Sequence, residues 1–108
     1  MQPNFLGKIS GSAAGVAAPI TSDRGIRACK ILIVTIPGLV GNIYVGGQNL
    51  DIETLAGTLM MFNRPCAVGL PDHFSIVSAN GSNSLVVADY WLAASVAGEG
   101  ALVTYFQA

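Results

Sequence analysis

His73 is the one histidine in the chain, so a search for acid–base chemistry begins there. Asp72 beside it and Asp89 further on supply carboxylates, and serines are plentiful, which makes a Ser-His-Asp set formally available. Such a set needs a nucleophile held within hydrogen-bond reach of the base, and the G-x-S-x-G turn that often presents one is absent. His73 therefore reads as a strand-start residue on a loop rim after Pro71-Asp72. Asp51 and Glu53 would share one face of a strand, but Leu50, Ile52 and Leu55 around them mark a connecting segment with a solvated side. Glu99 lies between Gly98 and Gly100, a turn too flexible to hold a metal rigidly. Asp89 precedes Tyr90-Trp91 and is expected to accept backbone hydrogen bonds where a strand ends. Cys29 and Cys66 lack C-x-x-C spacing and a neighbouring histidine, so they read as buried free thiols. No phosphate-loop or dinucleotide-binding pattern occurs. These residues point to a non-enzyme with no catalytic, metal or cofactor-binding residue and no cofactor.

Without a reactive constellation, the chain has to be read for the elements it builds. Thirteen glycines and five prolines leave no uninterrupted window with helical periodicity. Ala28 to Ile36 is β-branched, apolar on both faces and closed by Pro37-Gly38, which reads as a central strand. Short strands follow at Ile43–Val45, Thr58–Phe62, Ala67–Leu70, His73–Ser78, Ser84–Ala88, Tyr90–Ala94 and Gly100–Phe106. Leu50 to Gly57 is either a helical turn or a loop carrying one strand, and Asn80-Gly81 is a strong hairpin-turn signal. About eight short antiparallel strands spaced near ten residues apart define an all-β domain: a jelly roll, a β-sandwich or a small barrel.

Residues 1–25 have a different texture. Gly7, Gly11, Gly15, Pro3 and Pro19 interrupt it, yet Phe5, Leu6, Ile9, Val16 and Ile20 are too apolar for a solvated tail. A loose first strand near Val16–Ser22 and an extended arm that docks on a neighbouring sheet edge both fit. The division adopted is an arm over residues 1–12 and a single domain over 13–108. Phe5, Leu6 and Ile9 are then the expected assembly contacts of the arm. In Tyr90-Trp91 and Tyr105-Phe106 neighbouring side chains point to opposite faces, so one of each pair enters the core and the other faces out. Trp91 is added to the contact residues on this ground, and an outward aromatic would equally suit a sugar ring.

Charge is the compositional anomaly. Five Lys+Arg and six Asp+Glu make 10% of the chain, against about 25% in an average soluble domain. Hydrophobic residues make up 52% and the mean hydropathy is +0.58. A domain this small must expose much of what it contains, so part of that apolar surface is expected to meet another protein. A net charge of −1 without a basic run argues against nucleic acid. The longest apolar stretch, Ile31 to Ile36, is far short of the ~20 residues of a spanning helix, so no membrane contact is expected. The opening Met1 to Ile9 lacks a basic segment followed by an apolar one, which places folding in a cytoplasm.

Two segments carry a resemblance. Arg27-Ala-Cys-Lys-Ile-Leu-Ile-Val34 with Pro37-Gly-Leu-Val-Gly-Asn-Ile-Tyr-Val-Gly-Gly47 resembles paired strands of small virion-associated proteins of tailed bacteriophages. Ser82 to Leu92 and Gly98 to Phe106 are similar to their closing strands, so the likeness spans about residues 24–106. It rests on strand-and-turn texture, and residues 50–64 depart from it by being apolar where a polar insertion is expected. The resemblance implies a capsid decoration (cement) protein on the outside of an assembled head. It implies a homo-oligomer, a trimer in the first instance, whose partner is the major capsid protein. The alternative is a receptor- or glycan-binding module of a head or tail fibre.

Overall fold

The computed structural model describes residues 2–10, 15–36, 41–51, 54, 57–62 and 73–108. Among the described residues ten strands carry the fold: β1 (Gln2–Ser10), β2 (Ala18–Pro19), β3 (Arg27–Ala28), β4 (Lys30–Thr35), β5 (Ile43–Gly46), β6 (Thr58–Phe62), β7 (His73–Val77), β8 (Leu85–Val86), β9 (Trp91–Ala94) and β10 (Gly100–Gln107). A single 3₁₀ turn, Val87–Asp89, is the only helical element among the described residues, and no helix there is long and apolar enough to cross a membrane. The expected all-β domain is present as a sandwich.

Pairing is nested. β1 pairs with β10, β2 with β9, β4 with β7 and β5 with β6, all antiparallel. The chain is thus one long hairpin whose two arms cross together from sheet to sheet. Further pairing of β10 with β4, and of β9 with β5, closes two four-stranded sheets in the orders β1-β10-β4-β7 and β2-β9-β5-β6. The short β3–β8 ladder joins them at one end.

Alternation decides which side chains enter the core. On β4, Ile31, Ile33 and Thr35 are buried, while Lys30, Leu32 and Val34 are half-buried on the other face. Ile31, Ile33, Ala101 and Val103 of one sheet share a core with Ile43, Val45, Leu92 and Ala94 of the other. Tyr90 and Tyr105 pack against that core, whereas Trp91 and Phe106 point away from it, as the opposite-face rule requires.

The N-terminal segment finds a partner within the chain. Residues 2–10, read from the sequence as an arm, are extended, but they lie along β10 as the outer strand of the chain's own sheet. Leu6 and Ile9 turn inward and pack against the main core. A bulge between Phe5 and Gly7, with Gly7 at φ 84°, shifts the register so that both can do so. The Asn80-Gly81 signal does form its turn, with Gly81 at φ 72° and the Ser82 N–H on Asn80 Oδ1 at 3.2 Å. It does not make a hairpin, because β7 pairs with β4 and β8 with β3. Turn chemistry is local, whereas partner choice is made by the nested long-range pairing. The strand expected at Ala67–Leu70 lies outside the described residues.

Gly100 shows how tightly β1 is seated. A Cβ there would collide with the Ile9 carbonyl and with Ser10 Cα, both backbone atoms that cannot swing aside. Gly100→Ala is expected to cost about 1–3 kcal/mol, the usual price of overpacking. Urea denaturation measures the loss, and amide exchange should rise along residues 2–10 first; an unchanged midpoint would contradict this seating.

Candidate functional site

The two sheets differ on their outer faces. On β2-β9-β5-β6 the outward residues Tyr44 and Ala93 are buried beneath Leu50, which arrives from the segment after β5, with Ala17 and Trp91 packed alongside. That face is covered by the chain's own loops.

Among the described residues, none is seen to cover the outer face of β1-β10-β4-β7. Registered neighbours across the strands set out three rows: Pro3, Phe106, Lys30 and Val77; then Phe5, Thr104, Leu32 and Ser75; then Lys8, Leu102, Val34 and His73. Phe5 is 71% and Val77 62% exposed. The Lys30 Nζ lies 5.3 Å from the centroid of the Phe106 ring, consistent with the shared face. No Asp or Glu stands on these rows, so the patch is apolar with two lysines and a histidine around it. The outer edge of β1 carries Pro3, the bulge and Lys8, three features that discourage another strand from adding there. Contact by the sheet face is therefore easier than contact by that edge.

A second feature lies at one end of the covered sheet. A cleft of about 430 Å³ is lined by Pro19, Thr21, Ser22, Arg24, Gln48, Ala88, Asp89 and Trp91. Three segments converge on it: the loop after β2, the turn after β5, and the 3₁₀ turn that leads into β9. Hydrogen bonds brace each of them. The Ile20 N–H donates to the Tyr90 carbonyl at 2.9 Å, Val87 N–H to Ile26 at 3.1 Å, and Leu50 N–H to Gly47 at 3.1 Å. Within the first loop, Asp23 Oδ1 accepts from the Gly25 N–H at 2.8 Å. Arg24 Nη2 donates to Asp89 Oδ1 at 2.6 Å across the cleft, with both side chains more than half exposed.

The residues singled out from the sequence separate in space. Of the expected contacts, Phe5 alone stands on the open face; Leu6 and Ile9 serve the core, and Trp91 lines the cleft. His73 is exposed at the start of β7, on the rim as expected. Cys29 is a buried free thiol whose Sγ donates to the Phe106 carbonyl at 3.3 Å, while Cys66 lies outside the described residues. Asp89 corrects one expectation: its carboxylate meets Arg24, 65 residues away in sequence, rather than the turn backbone. Glu99 accepts from the Gly41 N–H at 2.8 Å and so ties one loop to another. Among the described residues no three His, Cys, Asp or Glu side chains gather as a metal site. Sequence reasoning missed Arg24 and Gln48, because no spacing signal links residues that meet only through the nested fold.

No protein-family model matches the chain, and no curated protein or solved structure is detectably similar to it.

Tyr90, beside the cleft, has its phenol held above the ordinary tyrosine range, first by burial and then by the adjacent Asp89 carboxylate. A raised folded pKa means stability that is complete below the unfolded value of about 10 and is lost as pH climbs through the folded one. Urea midpoints of the wild type should therefore fall more steeply above about pH 10 than those of Tyr90→Phe. Parallel curves for the two proteins would remove this account.

Proposed function

We propose that this chain is a structural, non-enzymatic virion protein, a decoration (cement) protein that binds and stabilises the assembled head of a tailed bacteriophage. The observation that carries the reading is the open outer face of β1-β10-β4-β7, which presents Phe5, Leu32, Val34, Val77, Leu102 and Phe106 to solvent or near it. An apolar sheet face on a chain with so few charges supports a permanent place against another protein. The nested strand order supports the jelly roll among the sandwich topologies, in line with the resemblance to small phage virion proteins.

Charge selects the occupant. Lys8 and Lys30 on the face, with no carboxylate among its rows, would repel the same face of a second copy. They suit an apolar patch rimmed by carboxylates, and the proposed bearer of that patch is the major capsid protein. Size argues for several copies acting together. Four strands at about 4.8 Å and six residues at about 3.4 Å give a footprint of roughly 400 Å². A standard interface takes about 800 Å² from each partner, so one copy alone would hold weakly. A homo-oligomer, with a trimer favoured, would bring several such faces to the shell at once and gain by avidity. Each bound copy then adds stability to the shell by mass action, since only the assembled form offers the site.

The test uses heads of the encoding phage that lack the protein. Added wild type should co-sediment with them, raise their resistance to heat, and bind less tightly as salt increases. Phe5→Asp with Val77→Asp changes only exposed side chains, and this double variant should lose at least about tenfold in affinity, the scale of one interface anchor. Equal binding by the double variant, or no binding by wild type, would sink the proposal. Light scattering of the free protein reads the oligomer, and a monomer would overturn the avidity argument.

A further inference from the structure

We infer that the cleft beside Trp91 is a binding site for a neutral sugar ring, a hexopyranose unit either free or at the end of a polysaccharide. This inference is independent of how the open sheet face is used, because the cleft sits on the other sheet and shares no residue with that face. The lining combines the two kinds of surface a pyranose needs. Pro19, Ala88 and Trp91 supply an apolar wall, and Trp91 is anchored from behind by packing against the Tyr44, Leu50 and Ala93 cluster. Pro19 and Trp91 are registered neighbours on β2 and β9, so the wall is built on paired strands rather than on a loose loop. Aromatic side chains held in this way receive the C–H face of a sugar ring.

The polar rim matches hydroxyl groups in number and in charge. Thr21, Ser22, Arg24, Gln48 and Asp89 surround the cleft, and each can donate to or accept from an alcohol. Among the described residues, neither the Gln48 amide, the Ser22 hydroxyl nor the Trp91 indole N–H is engaged in a hydrogen bond. Thr21 Oγ1 accepts from the Asp23 N–H at 3.2 Å and keeps its own proton to donate. Arg24 and Asp89 pair at 2.6 Å, so the described residues of the rim carry one cation and one anion that balance. An anionic ligand would have to displace Asp89 from Arg24, and a cationic one the reverse, whereas a neutral polyol bridges both without breaking the pair. The volume of about 430 Å³ is within the usual range of small-ligand sites and holds about two sugar rings. The bracing of all three segments by backbone hydrogen bonds means the site exists before the ligand arrives, which lowers the ordering cost of binding.

Trp91 is the only tryptophan in the chain, so its fluorescence reports on the cleft directly. The protein is titrated with methyl glycosides of glucose, galactose, mannose, N-acetylglucosamine and N-acetylgalactosamine, with saturation-transfer NMR in parallel. Glucose 6-phosphate and glucosamine form the charged arms, and oligosaccharides of whichever neutral sugar binds form the polymer arm. At least one neutral glycoside should shift the emission with a millimolar dissociation constant. A gain of about tenfold on going to the oligosaccharide would identify a polysaccharide end as the source, and no gain would identify the free sugar. Gln48→Ala and Asp89→Ala alter exposed side chains, and each should weaken binding about fivefold or more, as losing one or two hydrogen bonds predicts, while urea midpoints barely move. Silence across all neutral glycosides in both readouts, tighter binding of either charged sugar, or unchanged affinity in both variants would overturn the assignment.

Discussion

The face-to-face packing of Ile31, Ile33 and Val103 against Ile43, Val45 and Leu92 is the contact on which the rest of this structure depends. These side chains come from the two inner strands of each sheet, β4 with β10 and β5 with β9. Burying such residues is worth roughly 1.5–3 kcal/mol each, so this layer dominates what holds the sandwich closed. Alanines 28, 94 and 101 fill the same core, and with them the sheets can approach closely. Once the layer is set, every loop that crosses between the sheets has its end points determined.

Two consequences follow for function. The connections gathered at one end bring Arg24, Gln48 and Asp89 around Trp91, from positions dispersed over most of the chain. Described loop material covers the outer face of β2-β9-β5-β6, and among the described residues the opposite outer face is left bare. The asymmetry explains how a chain with a tenth of its residues charged distributes its apolar excess. One share lies in a small second core under Leu50, and the other is laid out on an open sheet next to two lysines. A covered face with a polar cleft and a face with an apolar patch present different chemistry to their surroundings.

Much of this was legible in the residues. The strands at Ile43, Thr58, His73 and Gly100 begin where alternation and flanking turn residues place them. His73 on a rim and the opposite-face placement of Tyr90 with Trp91 and Tyr105 with Phe106 follow from strand geometry alone. The N-terminal strand was harder to read, because Pro3 and Gly7 argue against a ladder; the structure accommodates them at an edge and at a bulge. The two-residue ladder of β3 with β8 and the Arg24–Asp89 pair had no local signature at all. The Trp91 cleft was invisible for the same reason, although the tryptophan itself had been singled out.

The residue order by itself determined that this is an all-β chain and which side of each strand is apolar. Alternation has a period of two wherever a strand goes, so it needs no knowledge of partners. Only the tertiary structure decided that β1 belongs to β10, that the Asn80-Gly81 turn separates two sheets instead of joining a hairpin, and which outward face the described loops cover. Those choices rest on contacts between residues far apart in the chain, where closing the loop costs entropy that only the assembled core repays. Local chemistry sets the side a residue faces, and the packed sandwich sets what it meets there.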